Sequence, residues 1–131
     1  MEGKKSPMQA IDEFVLKHIK QVLMQELNNE DSIHLYSIGE CWRAFDKSAY
    51  ALSLLMTDEE PVLLTVRDYP FPVMMMSVHY KDVNKLLYTQ VIAKRNLDYI
   101  RLITKPIDRV AYRRWSDEFL EDINKEDGEE Q

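Results

Sequence analysis

The chain has 131 residues, enough for one domain with a substantial core. Hydrophobic residues make up 45% of it and charged residues 31%, a balance that excludes a wholly disordered chain. The net charge of −6 is concentrated in residues 117–131, which hold eight acidic residues and one lysine, so the rest is near neutral. We therefore expect a single domain over residues 1–131, with flexible segments at 1–5 and 125–131.

Several classes of protein and site are excluded by simple counts. No uncharged apolar run reaches the roughly 18 residues of a membrane span. The first residues lack the apolar segment of a secretory signal, so we expect a cytoplasmic location and no membrane partner. A single cysteine excludes an internal disulfide, and glycines only at positions 3, 39 and 128 exclude a Gly-rich nucleotide-binding motif. We expect no cofactor and no metal.

The spacing of apolar residues predicts helices and strands in alternation. Ser6 can cap a helix and Pro7 is tolerated at its first position, and apolar residues then recur every three or four positions. The predicted elements, in chain order, are a helix from Ser6 to Leu27, a strand Ile33–Ile38, a helix Glu40–Met56, strands Val62–Val66 and Val73–Val78, a helix Lys81–Arg95, a strand Tyr99–Thr104 and a last helix from Asp108.

This alternation predicts an α/β fold. We expect a single compact domain with a mixed, partly parallel sheet flanked by helices. Val62–Val66 is continuously apolar, which suits a strand covered on both faces. The unbroken run Met74–Met76 likewise indicates a central strand with both faces buried.

Two segments carry a resemblance to a known family. Residues 37–45 turn at a glycine into an aromatic-rich segment, and residues 70–79 place two prolines before an apolar strand that ends at a histidine. The framework of this pattern is Gly39, Glu40, Trp42, Pro70, Pro72 and His79. In this order the segments resemble the N-terminal domain of the MutS mismatch-repair proteins, over about residues 33–105. The resemblance implies that domain's fold and a DNA-facing site, standing alone without the family's ATPase, clamp and lever domains.

The resemblance places Cys41 and Arg43 at the family's two recognition positions. In the family, an aromatic residue wedges into the base stack and a glutamate hydrogen-bonds the displaced base. Cysteine has no π-face to supply the stacking energy of about 1–3 kcal/mol per base. Arginine donates hydrogen bonds where glutamate accepts them. We therefore expect a scaffold of the MutS kind without its wedge.

Basic residues cluster in the second half of the chain and predict a nucleic-acid surface. The candidate nucleic-acid-binding residues are Cys41, Arg43, Lys94, Arg95, Arg101, Lys105, Arg109 and Arg113. Arg109 and Arg113 share a helical face because they are four residues apart. The alternative is a solvated face that pairs with the acidic tail.

Three functions remain open from the sequence. The first is a non-enzymatic module that resembles the mismatch-recognition domain of MutS and binds DNA. The second is a structural or protein-interaction module, with a protein partner or a second copy of the chain, that has lost DNA recognition. The third, an enzyme, has no motif behind it and we predict no catalytic residue. Cys41 and His34 are the residue types of a nucleophile–base pair, but a buried structural cysteine is the preferred interpretation.

Overall fold

A computed structural model describes the backbone of residues 5–129 and the side chains of residues 5–122. Its elements are α1 (Pro7–Leu27), β1 (Ser32–Ile38), β2 (Cys41–Phe45), α2 (Asp46–Leu55), β3 (Val62–Leu64), β4 (Val73–His79), α3 (Tyr80–Tyr88), β5 (Val91–Arg95), β6 (Tyr99–Ile103) and α4 (Arg109–Glu129). The flexibility expected at residues 1–4 and 130–131 lies outside the described residues, and the α4 backbone continues through residues 125–129.

One sheet of six strands, in the order β3-β4-β2-β1-β6-β5, forms the centre of the domain. The expected α/β class is confirmed, but the mixed, partly parallel sheet is wrong because every neighbouring pair is antiparallel. The pairs β1–β2, β3–β4 and β5–β6 are each joined by a short connection, which antiparallel strands allow and parallel strands do not. Two of the strands, β2 and β5, are predicted as helix, so the sequence does not predict the β1–β2 and β5–β6 hairpins.

The residues of β2 explain the first of these errors. Gly39 has a φ of +66°, and with Glu40 it forms a two-residue turn that leads directly into a strand instead of a helix. A positive φ at the first central position of such a turn favours glycine. Both faces of β2 are buried apart from half-buried Cys41, so the strand lacks the polar–apolar alternation that marks a half-exposed strand. Helix α2 begins only at Asp46.

The second error lies at the end of α3. This helix ends at Tyr88, and the predicted continuation to Arg95 is wrong, because Thr89 and Gln90 turn the chain into β5. β5 forms one edge of the sheet and all five of its residues are exposed. β3 forms the other edge and is partly exposed, so the expectation that this strand is covered on both faces is also wrong.

The remaining elements agree with the prediction. α1 begins with a capping box, in which the Ser6 hydroxyl accepts from the Gln9 backbone and the Gln9 side chain accepts from the Ser6 backbone. β4 lies between β3 and β2, and Met74, Met75 and Met76 are buried there, as expected for an inner strand. None of the described helices combines the length and the apolar character of a membrane span.

The two faces of the sheet are covered differently. On one face, α2, α3 and α4 cover a core that includes Ile33, Leu35, Trp42, Ile100 and Leu102. On the other face, α1 packs over a second core that includes Ile38, Phe45, Val73 and Met75. The β5–β6 side of this second face is open: β5 is exposed, and alternate residues of β6 are half-buried. Helix α1 therefore divides one sheet face into a covered part and an open part.

Candidate nucleic-acid surface

The two recognition positions lie on the part of the sheet that α1 covers. Arg43 is only 7% exposed. Its Nε donates to the backbone oxygen of Ile38 at 3.2 Å, and its guanidinium also donates to Ser77 Oγ at 2.7 Å. Helix α1 is close to the turn itself, because a Cβ at Gly39 would lie 3.6 Å from the Ala10 Cβ. In this arrangement Arg43 ties two strands together and has no exposed group for a phosphate.

Neighbouring framework residues also serve the fold. Cys41 is half-buried and pairs with His79 across β2 and β4. His79 Nδ1 accepts from the Lys81 backbone N–H at 3.3 Å and so caps α3, while its Nε2 lies 3.9 Å from a Glu40 carboxylate oxygen. Trp42 is buried in the core beneath the three helices. The turn, the strand and the cap together hold the hairpin in place.

Pro70 and Pro72 lie in the loop between β3 and β4, as their place in the sequence pattern requires. Pro72 borders a cleft of about 1310 Å³ between this loop, α1, α2 and α4. Tyr69 and Phe71 line the same cleft, with their rings 6.0 Å apart and edge to face. Pro72 therefore shapes one wall of this cleft together with Tyr69 and Phe71.

The structure pairs His34 with Tyr99 and not with Cys41. His34 Nδ1 lies 2.6 Å from the Tyr99 hydroxyl. Burial, followed by the nearby positive charge of Arg101, lowers the pKa of His34 to about 4. The imidazole is therefore neutral at pH 7, and its Nδ1 shares a hydrogen bond with the Tyr99 hydroxyl. This arrangement provides no nucleophile–base pair.

The open part of the face carries a different set of side chains. Lys94 and Arg101 are partners in the β5–β6 register and therefore lie on the same side of the sheet. The Lys94 ammonium lies 5.8 Å from the centre of the Tyr99 ring, which places it over that ring. Arg101 Nε donates to Ser32 Oγ at 3.0 Å. We call Lys94, Tyr99 and Arg101 the β5–β6 face.

The donors of the β5–β6 face are largely free. Lys94 and the terminal nitrogens of Arg101 have no hydrogen-bond acceptor or carboxylate partner within residues 5–122. Two cations with free N–H groups beside an aromatic ring can neutralise phosphates and offer a surface on which a base can stack.

The other candidate cations are not on this face. Arg95 follows Lys94 along β5, so its side chain points to the opposite side of the sheet. Lys105 is exposed in the connection between β6 and α4. Arg109 and Arg113 lie on α4 and line the cleft beside Phe71. The eight candidate residues thus do not form one surface, and Lys94 and Arg101 are the two that the β5–β6 register places together beside the Tyr99 ring.

One buried and one half-buried carboxyl group were missed by the sequence reasoning. Glu26 is only 1% exposed, and its carboxylate accepts from the Ser48 backbone at 2.7 Å and from the Ser48 hydroxyl at 2.6 Å. Burial raises its pKa to about 7, against the opposing effect of these hydrogen bonds. Glu26 lies four residues after Val22 on the apolar stripe of α1, and this is the signal that could have identified it.

Asp46 is the second of these groups. Its φ of +47° is unusual for a residue other than glycine, and its carboxylate accepts from the Met74 backbone N–H at 3.3 Å. Burial raises its pKa to about 6. Carboxyls that titrate near neutral pH can transfer protons in enzymes.

The surroundings of Glu26 indicate a structural role for this carboxyl. Both of its oxygens are bound to Ser48 and it has almost no exposed surface, so the geometry fits a role in anchoring the start of α2.

Within the described residues, no three His, Cys, Asp or Glu side chains converge in a way that could hold a metal ion. No protein-family model, curated protein or solved structure matches this chain. Its function must therefore be inferred from its own side chains.

Proposed function

We propose that this chain is a nucleic-acid-binding module with a scaffold resembling the MutS N-terminal domain. The nucleic acid contacts the β5–β6 face and not the hairpin at Gly39. One observation carries the proposal: Lys94 and Arg101 lie beside Tyr99 on the open part of the sheet, with donor groups that the described residues leave free.

The chemistry of this face favours a single strand or a locally opened duplex. Lys94 and Arg101 bind the phosphates, and a base stacks on the Tyr99 ring in the place that the Lys94 ammonium now occupies. Such stacking does not depend on base identity because every base has a π-face. The proposed module therefore binds with little sequence preference, and it does not read mismatches with a wedge.

A fluorescence-anisotropy titration with single-stranded, duplex and mismatched DNA at several salt concentrations tests this proposal. We expect affinity for the single strand to fall steeply with salt, because bound phosphates release counterions. K94E/R101E should weaken binding and reduce the slope of log K against log salt by about 1.5, since each lost phosphate contact removes about 0.7–0.9.

The matched control is K81E/K85E, which changes the net charge equally on exposed positions of α3, a helix on the opposite sheet face. The control should keep the wild-type salt slope. Absence of DNA binding by the wild type at low salt overturns the proposal, as does equal weakening by both variants.

A protein-interaction module is the second candidate, and the exposed edge strand favours it. Tyr88 and Leu97 flank β5 and are 92% and 98% exposed, and Val91 and Ile92 are exposed within the strand. An edge strand with free backbone groups can add a peptide strand to the sheet.

Selection of linear peptides displayed on phage tests this second function. Clones that bind the wild type should lose binding to V91K/L97K and keep it to L16K, which changes an exposed leucine on α1. Failure to enrich any clone contradicts this function.

A further inference from the structure

The cleft of about 1310 Å³ between α1, α2, α4 and the β3–β4 loop contains a half-buried carboxylate with an unused oxygen. Asp46 lines this cleft, and its Oδ1 accepts a hydrogen bond from the Met74 backbone N–H at 3.3 Å. Within residues 5–122, the other carboxylate oxygen of Asp46 has no hydrogen-bond or ion-pair partner. A carboxylate offers about four acceptor sites, so Asp46 has room for a further donor.

The fold itself does not require a charged residue at this position. The backbone N–H of Ser48, in the first turn of α2, donates to Glu26 and not to Asp46. An asparagine would keep the hydrogen bond from Met74 through its side-chain oxygen, and it adopts a φ of +47° as readily as aspartate does. It would also avoid the cost of burying a charge, which raises the pKa of the Asp46 carboxyl to about 6. A desolvated carboxylate with unusual backbone geometry beside a cleft is a feature of functional sites.

Aromatic rings lie beside this carboxylate. Because Asp46 accepts from the Met74 backbone, it lies at the start of β4, next to the loop that carries Tyr69 and Phe71. These two side chains are 39% and 66% exposed and line the same cleft. Tyr112 of α4 lines it too, and its pKa is raised by burial and then by the nearby charge of Asp46. Aromatic faces attract cations within about 6 Å, so the rings and the carboxylate favour the same kind of ligand.

The other charges of the cleft are balanced or already engaged. The α4 residues that line it include three arginines and three acidic residues, whose charges cancel: Arg109, Arg113, Arg114, Asp117, Glu118 and Glu121. Lys47 donates to the Leu27 backbone oxygen at 3.0 Å and forms no ion pair with Asp46. Glu26 has both carboxylate oxygens bound to Ser48. Among the described residues of the inner cleft, the charged oxygen left free therefore belongs to Asp46.

We propose that this cleft binds a primary alkylammonium group, which donates to the free oxygen of Asp46 and lies against the rings of Tyr69 and Phe71. An ammonium suits the site better than a guanidinium, because Oδ1 is already engaged and the planar fork of a guanidinium uses both carboxylate oxygens. The cleft is larger than the roughly 300–1,000 Å³ of a typical small-molecule pocket. The ammonium can therefore come from a free amine or from a lysine side chain of another protein.

A chemical-shift titration with n-butylammonium at pH 8 tests the site. At this pH the carboxyls of Asp46 and Glu26 are ionised, since their pKa values are about 6 and about 7. We expect shifts at Asp46, Tyr69 and Phe71, with a dissociation constant in the millimolar range because the ligand has few non-hydrogen atoms. n-Butanol has the same length without the charge, and it should bind at least about tenfold more weakly.

Asp46→Asn removes the charge and keeps the shape of the side chain. It should weaken binding of n-butylammonium at least about tenfold and leave binding of n-butanol unchanged. The matched control is Asp68→Asn, which removes an exposed carboxylate from the neighbouring loop at another position of positive φ, +64°, and should keep the wild-type affinity. Phe71→Leu keeps an apolar side chain without the π-face, and it should weaken ammonium binding about two- to fivefold.

Urea denaturation at pH 8 separates lost binding from lost folding. Asp46→Asn should be at least as stable as the wild type there, because the wild type then holds a charge that burial disfavours. Three results overturn the proposal: no shifts in the cleft at tens of millimolar n-butylammonium, n-butanol that binds as tightly, or Asp46→Asn that keeps the wild-type affinity.

A peptide distinguishes the two sources of the ammonium group. A blocked pentapeptide of glycines with a central lysine should bind more tightly than n-butylammonium if the ligand is a protein side chain, and no more tightly if it is a free amine. The same peptide with arginine should bind more weakly than the lysine peptide. The cleft does not include Lys94, Tyr99 or Arg101, so failure of this proposal leaves the proposed function untouched, and the reverse is equally true.

Discussion

Arg43 and Arg101 lie on the same face of the sheet, on the two strands that flank β1. Arg43 pairs across the register with Tyr36, and Arg101 with His34. α1 packs on the part of the face that holds Arg43, and the guanidinium of Arg43 donates hydrogen bonds to Ile38 and Ser77. Arg101 lies beyond α1 and donates only its Nε to Ser32. The same residue type is thus structural on one side of β1 and available on the other, and the position of a single helix makes the difference.

The largest expected effect comes from removing each arginine in turn. Arg43→Ala should lower the free energy of unfolding by about 4 kcal/mol, because it removes two hydrogen bonds from a buried charged donor and leaves their acceptors unpaired. Arg101→Ala should lower it by less than about 1 kcal/mol, since that side chain is half-exposed. Urea denaturation of the two variants gives the comparison. Similar losses in both would mean that α1 does not distinguish the two positions.

The pH dependence of stability tests the buried groups at the edge of the covered part. Glu26 has a pKa of about 7 in the folded chain, against an ordinary value of 4.5. The folded chain therefore holds this proton more tightly than the unfolded chain does. The stabilisation of the folded chain by this bound proton is therefore fully present below pH 4.5 and is lost as the pH rises to about 7.

Glu26→Gln should remove this dependence. The difference in unfolding free energy between variant and wild type should then change by about 3 kcal/mol across that window, in favour of the variant at the higher pH. Urea titrations from pH 4 to 8 measure it. A difference in unfolding free energy that does not vary with pH would contradict a raised pKa of Glu26 in the folded chain.

His34, on β1 between the two parts, should show the opposite sign. Its pKa is about 4 in the folded chain, below the ordinary value of 6.5, so the folded chain binds this proton less readily. Its contribution is lost as the pH falls from 6.5 to about 4. In the same titrations, His34→Gln should therefore be less destabilising relative to the wild type at pH 4 than at pH 7. The reverse trend would show a histidine that is stabilised in its charged form.

A substitution of Tyr99 tests whether a base stacks on the open part of the sheet face. Tyr99→Leu keeps an apolar side chain but removes the π-face, and should weaken binding of single-stranded DNA about tenfold, the lower part of the range for one stacked base. Duplex binding should change less because its bases are already stacked. Anisotropy titrations with both DNAs provide the measurement, and equal losses for the two would argue against stacking on Tyr99.

The smallest expected effect concerns the start of α1. Ser6→Ala removes the capping hydroxyl of this helix and should lower the free energy of unfolding by about 1 kcal/mol. The affinity for DNA should stay unchanged, because the cap is remote from the β5–β6 face. An increase in affinity would instead indicate that α1 conceals a binding surface at the hairpin.

Much of the fold could be predicted because its signals are local. The Ser6–Pro7 start of α1, the apolar strand at Met74–Met76 and the Asp108 start of α4 each follow from neighbouring residues. Asp108 Oδ1 accepts from the backbone N–H groups of Val110 and Ala111, as a helix cap should. These elements agree with the structure to within about two residues.

The errors arose where a tertiary neighbour decides the structure. β2 is buried on both faces by α1 and by the opposite core, so its pattern does not alternate. β5 is stable as a strand through its pairing with β6, and the β-branched pair Val91–Ile92 is the only signal within its five residues that favours a strand over the end of a helix.

From the sequence, the types of residue in the candidate site could be predicted, but not which of them lie together in the fold. The sequence suggested Lys94 and Arg101 among eight candidates, and the β5–β6 register is what places these two together beside Tyr99. It also suggested Arg43, whose burial depends on how α1 packs. Side-chain surroundings of this kind are set by the folded arrangement and have no local signature.

Amide chemical-shift mapping during titration with a short single-stranded DNA tests most directly where nucleic acid binds. We expect shifts concentrated in β5 and β6, with Lys94, Tyr99 and Arg101 among the most affected residues, and little change from Gly39 to Arg43. Shifts concentrated at the hairpin, or none at low salt, would contradict the assignment of binding to the β5–β6 face.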